Sequence, residues 1–410
     1  MPRAGLAGLG SVAALWLLAG AALLGLWSGR LVEPGGAGLG EPPVVPSRLP
    51  LRPPGPAAQK TFRALLTLPD ESGQEPPPAA PEHPRLERLE PVRGGIFWSR
   101  ALEAQVPRGF SAEEAASWLR AARRERVVSL ERGGCGRSSN RLARLSDGSR
   151  ACVRYGINPE QIQGEALSYH LAGLLGIQER LPPLALSRVE ARGGQWAPVR
   201  EELRGAHWSE GAVVSLARWV DNLTDVVAPA PWRAGAGVGA EAWPLTAREL
   251  RGLSREQLVE LVQWSDLILF DYLTANFDRL VSNLFSLQWD ARVMQRATSN
   301  LQRGPDGGLV FLDNEAGLAH GYRLLAMWDR YNEPLLRSVC VFREATAQRV
   351  RELHRLRNAA PELLRLYRTR EPLADGLGFL SEQQARLLQE RVDFVHRHIL
   401  HCKARAAALG

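Results

Sequence analysis

Apolar and polar positions alternate over short distances in the second quarter of the chain, a pattern typical of strands. Apolar residues recur over 127–131, 141–145 and 150–155, and an Asp-Gly pair at 147–148 predicts a two-residue hairpin turn between the last two. The first two stretches are joined by residues 132–140, which hold three glycines within four positions. The pattern therefore predicts a β-meander with a glycine-rich bend between its first two strands.

Longer segments show helical spacing of apolar residues together with capping residues. Ser111 with Glu114 forms a capping box that predicts a helix through about Arg123. Asn158, followed by proline, is typical of another helix start, and Gly176 is placed where that helix would end. Further helices are predicted over 254–273, 334–356 and 381–403, and a buried strand over 213–216. Strands first and helices later predict an α+β chain with two lobes.

Composition permits a large folded part and argues against nucleic acid as a partner. The chain has 410 residues, of which 45% are hydrophobic and 23% charged. Its formal charge of +7 comes almost entirely from arginine, since Lys60 and Lys403 are the two lysines. These cations are scattered among acidic residues, whereas nucleic-acid binding needs clustered cations with aromatic residues between them.

The N-terminal part predicts a membrane anchor followed by a stem. Residues 6–27 carry no charge and are long enough to span the ~30 Å hydrocarbon layer as a helix. We therefore expect a signal anchor in residues 1–30 that attaches the protein to a membrane, with a cleaved signal peptide as the alternative. Residues 31–95 are rich in Pro and Gly and predict a disordered stem. An N-lobe over 96–220 and a C-lobe over 221–410 follow.

Whether the N-terminal segment is an anchor or a cleaved signal peptide, the remainder of the chain is expected to reach an oxidising compartment. The four cysteines are interpreted on that basis. There, four cysteines are expected to form two disulfides. Three pairings exist, and Cys135 with Cys152 and Cys340 with Cys402 are favoured because each pair lies in one half of the chain. A catalytic thiol is less favoured, since nothing near any cysteine supplies the combination of a histidine and an orienting partner that it would need. Asn222 begins an Asn-Leu-Thr sequon for N-glycosylation.

Two short acidic segments late in the chain, which we call the acidic stations, carry the candidate catalytic residues. Asp278 and Asn283 are five positions apart, and Asp313 follows the apolar stretch 308–312. Phosphoryl transfer uses one carboxylate to orient the attacking hydroxyl and another to hold a metal ion on the phosphates, with an amide oxygen helping. Each station alone is common in turns and helix ends. Together, their order and spacing are those of the protein-kinase catalytic loop and metal-binding aspartate.

Three further features precede these stations in the order a kinase requires. The glycines of the bend, at 133, 134 and 136, would let backbone N–H groups approach phosphate oxygens. Arg154 ends the third strand, where a kinase has lysine, and Glu165 lies on the next helix. Because an arginine fork is larger than an ammonium and is aimed differently, this exchange puts activity in more doubt than fold.

Several stretches of the chain resemble the Four-jointed family, which are Golgi kinases of the secretory pathway. These stretches read GEALSYHLAGLLGI, DLILFDYLTANFDR, FLDNEAG and VCVFRE. The resemblance implies an atypical two-lobed protein-kinase-like fold that uses ATP with Mg²⁺ or Mn²⁺, with Glu165 and Asn283 joining Asp313 at the metal.

The same resemblance implies a setting and substrates for this activity. It implies a Ser/Thr kinase in the Golgi lumen as a type II membrane protein, or secreted after cleavage. Extracellular cadherin repeats of Fat/Dachsous-type protocadherins are the implied substrates, in growth and planar-polarity signalling.

Departures from the kinase pattern leave two alternatives open. Asn314 and Glu315 replace the usual Phe-Gly after the metal-binding aspartate. Glu315 is predicted to cap a turn, with a further metal ligand as the alternative. The 35-residue interval between Asp278 and Asp313 is attributed to an insertion over 289–308. One alternative is a pseudokinase or secreted signalling protein that acts by binding. The other, a Golgi glycosyltransferase, is disfavoured because strands do not alternate with helices.

Overall fold

The computed structural model describes residues 90–233 and 245–409, all within one unit that spans residues 81–410. The predicted anchor and nearly all of the predicted stem lie outside these residues. The strands are β1 (Val92–Arg93), β2 (Phe97–Trp98), β3 (Val127–Glu131), β4 (Arg141–Leu145), β5 (Arg150–Arg154), β6 (Leu184–Arg188), β7 (Val213–Arg218), β8 (Thr224–Val227), β9 (Ala297–Arg303) and β10 (Leu309–Phe311).

Helices occupy most of the second half of the chain. They are α1 (Arg100–Glu103), α2 (Ala112–Arg124), α3 (Pro159–Leu175), α4 (Arg200–Gly205), α5 (Ala230–Arg233), α6 (Arg255–Thr274), α7 (Leu280–Ser286), α8 (Ala319–Arg323), α9 (Leu325–Arg337), α10 (Glu344–Leu356), α11 (Ala359–Arg370), α12 (Ala374–Leu377) and α13 (Glu382–Leu409). Capping boxes open α2, α3 and α6 as the sequence predicts, and helix α3 ends at Gly176 in the left-handed conformation.

Strands β3 to β7 form an antiparallel sheet in the order β3-β4-β5-β7-β6. The predicted meander is its first half, with the glycine bend between β3 and β4. Helix α3 connects β5 to β6 and packs against β6 and β7. An antiparallel sheet differs from the parallel doubly wound sheet that the glycosyltransferase alternative requires. A second antiparallel sheet, β10-β9-β8, lies beyond it in the chain.

Helix α6 is the centre of the helical part and is buried along most of its length. It packs against α9 and α13, and the ring of Phe270 stacks on that of Phe311 at 6.1 Å. Helix α13 packs in turn on α10 and α11. Because α6 runs directly into the Asp278 segment and β10 into Asp313, packing these two elements together brings the two acidic stations close to one another.

The prediction of one helix over 334–356 is wrong. The structure has α9, which contains Pro334, and α10, separated by an extended segment at 338–343. Two main-chain pairings hold that segment, one between Val339 and Leu245 and one between Phe342 and Phe97. Val, Cys and Phe in this segment suit extended backbone, and long-range pairing of this kind has no periodic signature in the sequence.

Folded structure begins slightly before residue 96. Strand β1 pairs with β2, so Val92 and Arg93 belong to the folded part although the stem was predicted to extend through residue 95. Both predicted disulfides are confirmed, Cys135–Cys152 and Cys340–Cys402. Across 90–233 and 245–409, every helix is too short or too polar to cross a membrane.

The packing of α3 generates a testable prediction. Leu167 is fully buried on this helix. We expect Leu167→Ala to lower the free energy of unfolding by about 2–5 kcal/mol, because it removes buried apolar surface and leaves a cavity. Urea denaturation of the purified protein measures this.

Leu400→Ala is the matched control, since Leu400 on α13 is 52% exposed and its truncation is expected to change the same free energy by about 0.5 kcal/mol or less. Equal effects of the two variants would contradict the packing described for α3.

Candidate active site

A cavity of about 620 Å³ lies between the five-stranded sheet and the β9–β10 hairpin. This volume is within the range of small-molecule and cofactor sites. Its walls come from parts of the chain that are far apart in sequence. They are the glycine bend, Arg154 on β5, Glu165 on α3, residues 217–223 after β7, residues 297–302 on β9 and residues 311–314 after β10.

The glycine bend forms one wall of the cavity and needs its glycines for conformation and for space. Gly133, Gly134 and Gly136 all have positive φ, a region that favours glycine. A Cβ on Gly136 would lie 3.7 Å from the Asp313 carboxylate, so the bend approaches that residue closely. The Cys135–Cys152 disulfide fastens the bend to β5, two residues before Arg154.

Arg154 lies between two of the predicted acidic residues. Its Nη1 is 2.5 Å from Asp313 Oδ2 and its Nε is 3.9 Å from Glu165 Oε1. Burial by itself would lower the pKa of Arg154, but the carboxylates of Asp313, Glu165 and Glu315 together raise this pKa above its ordinary value. The guanidinium is therefore a permanent positive charge held at the back of the cavity.

Helix α3 brings Glu165 to the cavity because a glycine precedes it. A Cβ on Gly164 would come within 2.5 Å of the Gly317 carbonyl oxygen and 2.9 Å of that of Glu315. Only a residue without a side chain permits this approach of the helix to the chain after Asp313. Glu165 is itself buried, and burial raises its pKa against the opposing effect of Arg154.

Arg279 joins the two acidic stations and is completely buried. Its Nη1 donates to Asp271 Oδ1 at 2.5 Å and its Nε donates to the Asn300 carbonyl at 3.1 Å. Its Nη2 donates to the Leu312 carbonyl at 2.7 Å and to Asn314 Oδ1 at 2.6 Å. Arg279, the residue after Asp278, is thus hydrogen-bonded to Leu312 and Asn314, the residues on both sides of Asp313. Burial raises the pKa of Asp271 to about 6, although Arg279 opposes this shift.

Asp278 is oriented by two asparagines. The Asn300 amide donates to the Asp278 carboxylate at 2.9 Å and to its carbonyl at 3.0 Å, and Asn276 Oδ1 accepts from the Asp278 N–H at 2.9 Å. Burial and then the nearby Asp313 carboxylate raise the pKa of Asp278. Asp278 is not part of the cavity lining, whereas its hydrogen-bond partner Asn300 is.

Asn283 is placed differently from the sequence prediction. It lies on helix α7, which begins at Leu280, so Asp278 and Asn283 do not share a loop. Its side chain is buried and is not part of the cavity lining. Of the predicted charged residues, Arg154, Glu165 and Asp313 meet in the cavity, and Asp278 is not part of its lining.

Glu315 does not cap a turn as predicted. Its carboxylate forms an ion pair with Arg137, which directly follows Gly136 in the bend. Burial, followed by the Asp313 carboxylate, raises the pKa of Glu315 to about 8 although Arg137 opposes the shift. Arg137, Arg279 and Asn300 were not predicted from the sequence. Of the three, only Arg279 had a local signal as a site residue, because it is adjacent to Asp278.

The acidic residues of the cavity have the donor atoms that a divalent cation requires. Glu165 Oε2 and Asp313 Oδ1 are buried, and neither has a hydrogen-bond partner among the described residues. Glu315 adds a third carboxylate beside the cavity, and the Asp313 carboxylate raises the pKa of both Glu165 and Glu315. Carboxylate oxygens are the ligands that Mg²⁺ and Mn²⁺ prefer. A divalent cation therefore fits this set of residues.

The predicted glycosylation site lies at the cavity as well. Asn222 is exposed, has a φ of 56° and lines the cavity in the segment that follows β7. A neighbouring residue in that segment, Asp221, accepts hydrogen bonds from Arg150 at 2.6 Å. The sequon is therefore accessible at the edge of the site.

Comparison with solved structures identifies the fold. The crystal structure of the Golgi casein kinase matches with a TM-score of 0.51 and 12% identity, covering 72% of this chain and 78% of that one. At this identity the likeness concerns the fold, which is that of a secretory-pathway kinase.

Comparison of sequences identifies the family. The model of the Four-jointed box protein middle domain matches residues 113–405. Four-jointed box protein 1 of Homo sapiens is 61% identical over 431 aligned positions, which cover 97% of each chain. The extracellular serine/threonine protein kinase four-jointed of Drosophila melanogaster is 34% identical over 383 positions, covering 82% of this chain and 65% of the fly protein. On the family model and the human relative, the chain belongs to the Four-jointed box protein family.

Proposed function

We propose that the protein is a Ser/Thr protein kinase that transfers the γ-phosphate of ATP to protein hydroxyl groups. The observation that supports this most strongly is the meeting of Arg154, Glu165 and Asp313 in one cavity, with Asp278 connected to it through Asn300. The cavity, the glycine bend and the fold suit a nucleotide. The printed name of the fly relative states this activity for that protein.

The residues of the cavity divide into groups for the metal and for the phosphates. Asp313 and Glu165 would hold Mg²⁺ or Mn²⁺, whereas Asn283, which the family resemblance implies as a further ligand, lies outside the cavity lining. When bound, the cation would neutralise part of the negative charge of the phosphates. Arg154 would bind phosphate oxygens, and the backbone N–H groups of the glycine bend would bind others.

Asp278 would orient the acceptor hydroxyl and accept its proton. The Asn300 amide fixes one carboxylate oxygen of Asp278 at 2.9 Å, so the other oxygen has a defined direction. A raised pKa brings this carboxyl closer to the neutral range in which proton transfer is most effective.

We further propose luminal, extracellular domains as acceptors. The uncharged stretch at 6–27 supports a Golgi type II membrane protein, or a secreted one after cleavage. The two disulfides suit that compartment. Cadherin repeats of the Fat/Dachsous type and a role in planar polarity are proposed from family resemblance.

One contact favours a second candidate, a pseudokinase that acts by binding. Arg154 replaces the usual lysine and is 2.5 Å from Asp313, the residue proposed to hold the metal. An arginine in this position competes with a cation for the carboxylate. Transfer of labelled phosphate from ATP by the purified protein, with Mg²⁺ or Mn²⁺ supplied, distinguishes the two candidates.

Asp278→Asn provides the first test of the mechanism. We expect kcat to fall about 10²- to 10⁴-fold, because an amide cannot accept the proton. Nucleotide affinity, measured by calorimetry, should stay unchanged. Asp306→Asn is the matched control, since Asp306 is exposed in the β9–β10 turn and should retain full kcat. Equal activity of the two variants would show that Asp278 is not the base.

Arg154→Ala provides the second test. Loss of a charge-assisted hydrogen bond costs about 1.5–3 kcal/mol, so we expect the Kd for ATP with Mg²⁺ to rise about 10- to 100-fold. Arg154→Lys should recover part of this affinity. Arg144→Ala is the control on the neighbouring strand β4, because Arg144 is exposed and lies outside the cavity lining. An unchanged Kd for Arg154→Ala would remove this residue from the phosphate site.

Arg279→Ala tests how strongly the connection between the two acidic stations stabilises the fold. Removing one partner of a buried ion pair typically costs about 3–5 kcal/mol, because Asp271 is left buried without its cation. Denaturant unfolding measures this loss. The double variant Arg279→Ala, Asp271→Asn should recover part of the stability. Arg204→Ala, at an exposed pair, should change it by about 0.5 kcal/mol or less.

A further inference from the structure

Four aromatic rings lead from the residue before Asp278 to the surface, and we call them the aromatic ladder. The ring centroids of Phe277 and Trp328 are 5.0 Å apart, those of Trp328 and Phe285 are 4.9 Å apart, and those of Phe285 and Trp289 are 4.8 Å apart. Phe277 and Phe285 lie on either side of the start of α7, and Trp328 lies on α9.

The outer end of the ladder is exposed in a way that helix packing does not explain. Contact between α7 and α9 accounts for the half-buried rings of Phe285 and Trp328. Trp289, in contrast, is 70% exposed. It is the one aromatic residue among the exposed large apolar side chains of the described residues. An exposed tryptophan continuous with a buried aromatic cluster is typical of a protein contact surface.

The ladder is separate from the nucleotide cavity and adjoins Asp278. None of its four rings lines that cavity. An acceptor hydroxyl must reach Asp278 without displacing the nucleotide, so the chain that carries it must cross neighbouring surface. The ladder is such a surface, because Phe277 is bonded directly to Asp278.

Charge at the outer end indicates what binds there. Arg292 and Arg296 are exposed and share a single carboxylate, that of Asp290. The exposed Arg330 lies over the ring of Tyr331, which packs against Phe285. The apolar surface of the ladder is therefore bordered by an excess of positive charge, which complements an acidic partner.

We propose that the aromatic ladder binds the acceptor polypeptide, with an apolar side chain of the acceptor packed on Trp289 and an acidic residue beside it. This inference rests on the proposed kinase function and adds acceptor selection to it. The three ring-to-ring steps of the ladder span a distance that no more than about five residues of extended chain would cover, at about 3.3 Å per residue. The apolar residue thus lies within about five positions of the phosphorylated hydroxyl.

The test uses purified full-length protein and a positional-scanning peptide library with one fixed serine. We expect a preference for Trp, Leu or Phe at one position within about five residues of the serine, and for Asp or Glu next to it. For the preferred peptide, Trp289→Ala should raise KM about 10- to 30-fold, with kcat and the Kd for ATP unchanged. Leu400→Ala, equally a removal of exposed apolar surface, should leave KM unchanged.

A binding measurement separates failure of the ladder from failure of the kinase proposal. A fluorescent copy of the selected peptide with alanine in place of the serine should bind the protein, as shown by anisotropy, and should bind Trp289→Ala at least 10-fold more weakly. If neither a peptide nor an extracellular cadherin repeat is phosphorylated, the kinase proposal fails, and the cadherin repeat then serves as the binding probe. The ladder proposal is overturned by equal binding to both proteins, by the absence of an apolar preference, or by Trp289→Ala converting a dimer to a monomer in analytical ultracentrifugation.

Discussion

The buried guanidinium of Arg279 sets the relation between the two acidic stations, and the candidate site depends on it. Its donors go to one carboxylate, one side-chain amide and two backbone carbonyls from three segments of the chain. An ion of this kind is costly to bury, so the arrangement persists only because these acceptors satisfy it together. Asp313 has a φ of 48°, a backbone conformation that non-glycine residues adopt rarely, and the contacts on both of its neighbours hold it there.

The site brings three carboxylates together, and its two arginines neutralise only part of their negative charge. Asp313, Glu165 and Glu315 face two arginines, one on strand β5 and one on the glycine bend. Each arginine is at the same time the natural partner of a phosphate group. Ions and nucleotide entering this cavity would therefore exchange partners with charges already present, and binding of the two is expected to be linked.

Local signals in the sequence predicted much of the fold, and long-range contacts account for what they missed. Strands β3 to β5, the caps of α2, α3 and α6, and both cysteine pairs follow from neighbouring residues or from compartment. The acidic stations could be recognised because their order and spacing are those of the protein-kinase catalytic loop and metal-binding aspartate. Asn300 lies between them in an apparent insertion, and its role comes only from folding β9 against the Asp278 segment. The segment at 338–343 likewise takes its shape from strands far away in sequence.

The bridge between Cys135 and Cys152 has a consequence for how the molecule matures. It closes a 17-residue span and attaches the flexible bend to the strand that carries Arg154. While both sulfurs are still thiols, the bend retains its glycine freedom and is not anchored over the cavity. Oxidation of this pair is therefore expected to order the cavity wall as well as the fold. If the proposed kinase activity needs that wall, a newly synthesised chain would become active only after its thiols are oxidised.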